Sequence, residues 1–148
     1  MDMHGTALAD AIERALPGWV ERSVIGRATA FHGRVDDGVR AEAVAAGQRA
    51  GREVGREVRH LLTLDIDEQA TTPLALLRAA VRYPTAVLRS AGVPPVVRDE
   101  QQERLFPDDD YDLAPANFAE VSPDLAEVGL VWGAAKAHTH LQRRREAT

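Results

Sequence analysis

The chain reads as an all-α fold, a single-domain helical bundle of five to six helices with one long central helix and a proline-rich acidic loop region. Three features predict it. Apolar residues return at helical spacing over most of the 148 residues. No stretch alternates apolar and polar side chains as a half-buried strand would. Proline and glycine punctuate the chain at intervals that suit helix ends. A chain of this length buries roughly 70% of its unfolded surface, so one core, spanning 1–148, needs no covalent staples.

The elements follow in order. Leu8, Ile12, Ala15 and Leu16 mark one face of a first helix over about 6–16, and Pro17-Gly18 is read as its end. Pro17 then serves as the first residue of a second helix through Trp19, Val20, Val24, Ala28 and Phe31. Gly33 to Gly38 interrupt the pattern, with Asp36 and Asp37 available as caps. The third helix, roughly 38–64, is read as the longest, because Val39, Ala43, Ala46, Ala50, Val54, Val58 and Leu61 hold helical phase. It closes the N-terminal half, 1–64, and leaves 65–148 for the C-terminal helices. Thr72 caps a helix opening at Pro73, which Pro84 kinks or restarts and Gly92 closes. Asp99 with Gln102 has the form of a capping box for a short helix to Phe106. The last helix starts at Ser122-Pro123 and runs to Arg143-Arg144-Arg145, burying Leu125, Val128, Trp132 and Ala135.

The absence of cysteine excludes disulfides, thiolate catalysis and every cysteine-containing zinc site. The opening Met1-Asp2-Met3-His4-Gly5 has neither a basic nor an apolar leader region, and no run approaches the ~20 apolar residues of a membrane helix. A soluble cytoplasmic protein with no membrane contact is expected.

The charge is unevenly placed. Between Asp99 and Glu127 ten carboxylates stand against one cation, Arg104, which exceeds the whole net charge of −5. The same segment, 99–127, holds Phe106, Tyr111, Phe118, Pro107, Pro115 and Pro123. A solvated spacer would lack such aromatic anchors. Phe106, Asp108, Asp109, Asp110, Tyr111, Asp112 and Leu113 are therefore the candidate interaction residues, the rings and Leu113 as anchors and the aspartates as steering charge.

Other patterns have plainer readings beside the functional ones. Gly47, Gly51 and Gly55 recur every four residues in the long helix, at roughly 1 kcal/mol each relative to alanine. Close approach of a second helix, in this chain or in another copy, would compensate. Arg49, Arg52, Arg56 and Arg59 form a basic stripe that can track phosphates, but Glu42, Glu53 and Glu57 sit among them, and a salt-bridged solvated helix is preferred. Asp108, Asp110 and Asp112 open like a calcium loop, yet Leu113 replaces its glycine and Ala119 its closing glutamate, so no metal and no cofactor are expected. Asp65, Asp67 and Glu68 are read as local charges for the following helix or for Arg78 and Arg82. His138 and His140 are two apart, which on a helix turns them away from one metal. Ser23, Ser90 and Ser122 lack a nucleophile context.

The words DIDEQATTPLALLRAAVRYPT, AGVPPVVRDE, FPDDDYDL and WGAAKAH, over Asp65 to His138, resemble an uncharacterised family of small actinobacterial helical proteins. The resemblance covers about the C-terminal half and implies a cytoplasmic helical protein, with no activity or site residue to transfer.

The reading that follows is a non-enzymatic interaction or regulatory protein with an unknown, basic protein partner and a homo-oligomer as a further option. The alternatives are a metal-assisted enzyme using the Asp108–Asp112 cluster with His138, and a nucleic-acid binder through the arginine-rich helix and tail, which the acidic net charge disfavours.

Overall fold

A computed structural model describes residues 3–63 and 72–147, with the backbone alone at His140, Arg143 and Ala147. Asp65, Asp67 and Glu68 lie outside the described residues. Helix α1 (Met3–His32) carries Leu8, Ile12, Leu16, Val20, Val24 and Ala28 into the core. The expected break at Pro17 does not occur: the proline sits inside one continuous helix. An interior proline costs about 3 kcal/mol, whereas each buried Leu, Ile or Val contributes about 1.5–3 kcal/mol. The apolar face continues in register on both sides of Pro17, so burial outweighs the break. Gly33, at φ 82°, ends the helix in the left-handed region that favours glycine, and its amide donates to Thr29 O at 2.8 Å.

Helix α2 (Asp37–Leu62) starts where the Asp36 side chain accepts from Val39 N at 2.8 Å. The longest helix is thus α1, at 30 residues against 26 for α2. The two pack along each other through the glycine stripe. All three glycines are buried. A Cβ at Gly47 would lie 2.7 Å from Pro17 O and 3.0 Å from Pro17 Cα, and one at Gly51 would lie 3.2 Å from Glu13 O. One at Gly55 would overlap the Glu13 side chain. Pro17 has no amide hydrogen, so Glu13 O is the carbonyl that loses its helical donor. Gly51 brings the backbone of α2 against that carbonyl. Arg59 ties the same end of the seam to Asp10 and Glu13.

The remaining helices close around this pair. Thr72 caps α3 (Pro73–Ala79), accepting from Ala75 N at 3.2 Å. The break before α4 (Arg82–Ser90) falls at Ala80–Val81 rather than at Pro84, which lies in the first turn of α4, where proline's missing donor costs nothing. Gly92, at φ 75°, follows its end. Asp99 and Gln102 form both bonds of a capping box on α5 (Glu100–Leu105). The unpredicted α6 (Phe118–Val121) is a single turn capped by Asn117, and α7 (Pro123–Ala147) completes the bundle. α1 touches α2, α4, α6 and α7, which makes it the hub. The described residues contain no strand, and the fold is an all-α helical bundle. Among them no helix is long and apolar enough to cross a membrane.

Candidate functional site

The acidic segment is held in place by arginines that mostly grip its backbone. Arg78 donates from Nε to Pro115 O at 3.1 Å and from Nη2 to Ala116 O at 3.0 Å. Arg98 donates to Phe106 O at 2.6 Å, and Arg22 of α1 to Val121 O at 2.9 Å. Arg89 instead takes a carboxylate, its Nε reaching Asp110 Oδ2 at 2.8 Å, and Asp110 in turn raises the Arg89 pKa. A backbone bond from Val96 N to Asp110 O, at 2.9 Å, fastens the run after α4 to the same point. Arg78 therefore serves the carbonyls of Pro115 and Ala116, a role its place in the sequence did not suggest.

The seven candidate interaction residues separate into two groups. Asp109 is 2% exposed, and its two oxygens accept from Leu113 N at 2.7 Å and Ala114 N at 2.8 Å. Tyr111 is 1% exposed and donates to Val93 O at 2.6 Å. Burial, with Asp110 nearby, pushes the Tyr111 pKa up. These two are buried in the fold, which corrects the expectation of Asp109 as steering charge and of Tyr111 as an anchor offered to a partner. The chain bends at Asp112, φ 56°, so successive side chains part company instead of sharing one face. Asp108 and Asp112 are exposed, Asp110 is half-buried on Arg89, and Leu113 is half-buried against the core. Phe106 is half-buried, with the Arg78 guanidinium 5.8 Å from its ring centroid.

Between α3, the start of α4 and the end of α5 lies an open cleft of about 380 Å³. Ala75, Ala79 and Val81 line one side, and Leu105, Phe106 and Pro107 the other. Leu105 is 61% exposed. Asp108 is also at the cleft, and Glu100 and Glu103 are exposed on the short helix that ends in Leu105. On the facing wall Arg78 is engaged as above, while Arg82 bonds the Tyr83 hydroxyl at 3.1 Å and lies 3.6 Å from Glu57. Leu105 was not among the candidates drawn from the sequence. Helix α5 buries none of its residues, whereas the shorter α6 buries Val121 at its last position, so helix length alone did not mark Leu105.

The other sequence patterns are placed as follows. On α2, Arg49 pairs with Glu53 at 3.1 Å and Arg59 with α1, so the arginine stripe is drawn into ion pairs at both ends, while Arg52 and Arg56 are exposed. The Tyr83 hydroxyl donates to Glu53, and this bond, followed by Arg49, holds the Glu53 pKa below the usual carboxylate range. Among the described residues no three His, Asp or Glu side chains are grouped to hold a metal ion.

No family model, curated protein or solved structure matches the chain, and none bears on the resemblance over Asp65 to His138.

Proposed function

We propose that this chain is a protein-interaction module that takes a basic, apolar segment of a partner protein into the cleft between α3–α4 and the end of α5. The observation that carries the reading is Leu105, a large apolar side chain 61% exposed beside Phe106, Pro107 and Asp108 at an open cleft, at the end of a short helix on which Glu100 and Glu103 are exposed. Apolar anchors in a concave site hold a partner, and uncompensated charge around them steers it. The buried Asp109 and Tyr111 serve this site indirectly, by fixing the segment that forms one wall.

The test is in-cell photo-cross-linking from position 105 with mass spectrometry, followed by binding kinetics with the captured protein. Changing Glu100, Glu103 and Asp108 together to their amides is expected to slow association and flatten its salt dependence, and Leu105→Ala to speed dissociation. An unchanged on-rate and salt slope in the triple variant would sink the reading.

A further inference from the structure

Helix α7 has two faces. Leu125 and Gly129 are buried and Trp132 is half-buried. Half a turn away, Glu127, Leu130, Ala134, Ala137, Leu141 and Arg144 recur in steps of three and four residues, the spacing of a coiled-coil seam. All six are exposed, Leu130 by 76% and Leu141 by 54%. From Gly133 onward the described side chains of α7 are exposed except Ala135 and Lys136, which are half-buried. A helical stretch of that length without packing is marginal in water.

The seam has a symmetry that selects its occupant. From one end it reads acid, leucine, alanine, alanine, leucine, base, and from the other the same order with the charges exchanged. Two copies laid antiparallel place Glu127 opposite Arg144 of the second copy, Leu130 opposite Leu141 and Ala134 opposite Ala137. A parallel arrangement sets like charges against each other at both ends. The two alanines at the middle let the helix backbones approach closely, and the seam spans about 26 Å at 1.5 Å per residue. A two-fold axis requires self-complementarity of this kind. We propose that the protein forms a two-fold symmetric dimer through antiparallel pairing of α7. None of the seam residues lines the cleft described above, so this pairing and the cleft stand or fall separately.

Sedimentation equilibrium of the full chain over a concentration series tests it, with near-ultraviolet dichroism of the tryptophans confirming that the body stays folded. The wild type is expected to dimerise, and Leu130→Glu with Leu141→Glu to abolish the dimer. Glu127→Arg and Arg144→Glu, each alone, are expected to weaken it roughly tenfold, because two symmetry-related ion pairs become repulsions. An equimolar mixture of those two variants should regain the association as a heterodimer, since every end contact is then between opposite charges. A wild type that stays monomeric, a dimer that survives the double leucine change, or a mixture that fails to associate would each overturn the proposal.

Discussion

Asp109 stands where the chain turns from α5 toward α6, and each of its carboxylate oxygens accepts from a backbone amide. Asp109→Asn replaces one acceptor with a donor facing an N–H, and the expected loss is about 1–3 kcal/mol. Asp108→Asn, at an exposed site, is expected within about 0.5 kcal/mol of wild type. Urea unfolding of the two variants distinguishes them, and equal losses would mean that Asp109 is not the inward anchor. The tyrosines give a pH signature. Tyr111 and Tyr83 both have pKa values raised above the ordinary 10.0, through burial first in each case. A raised acid stays protonated in the fold at a pH where the unfolded chain has ionised. Their contribution is therefore whole below pH 10 and is lost as pH rises through the folded values. Alkaline melts of wild type should fall more steeply than those of the Tyr83→Phe, Tyr111→Phe double variant. In the sequence the four aspartates are equivalent letters. Which of them turns inward depends on the bend at Asp112 and on Arg89, more than twenty residues away from it, neither of which local spacing encodes.

At the scale of elements, the α1–α2 seam joins two features that the sequence carries some thirty residues apart. The four-residue recurrence of Gly47, Gly51 and Gly55 is plain in the chain, but its partner, Pro17, reads locally as a helix end. Only the pairing shows that the proline turn and the glycine face occupy each other's space. Helix caps, by contrast, depend on neighbours within four residues, and Asp36, Thr72 and Asp99 were legible for that reason. The single turn α6 was not, because four residues hold no apolar period. The seam predicts an order among alanine substitutions, each of which gains about 1 kcal/mol of helix propensity. Gly47→Ala meets the Pro17 backbone, which cannot step aside, and is expected to destabilise by about 1–3 kcal/mol net. Gly51→Ala faces contacts of 3.2–3.4 Å and should be milder. Gly55→Ala displaces the Glu13 side chain, its Cγ included, from the Arg59 pair, a loss that offsets the gain in propensity, and should be near neutral. Thermal melts read the order, and a Gly47→Ala variant more stable than Gly55→Ala would contradict the seam.

For the whole molecule, the division of labour lies between charge turned inward and charge left outside. Arg22, Arg78 and Arg98 spend their donors on backbone carbonyls of the acidic segment. Of the cations brought to it, Arg89 pairs with a carboxylate. Asp108 stays exposed at the cleft that Leu105 and Phe106 help to form, and Glu100 and Glu103 stay exposed on α5, which ends there. Excess acid near 99–127 was evident from composition, whereas the cleft needs α3, α4 and α5 to be brought together and so had no local trace. The partner proposed for this surface is a basic, apolar segment. Selection of random peptides displayed against the folded chain, with every winner retested on Leu105→Glu, tests it directly. The expected result is a consensus combining Lys or Arg with a large apolar residue, and loss of binding to the variant. An acidic consensus, or winners that bind Leu105→Glu as well as wild type, would contradict it.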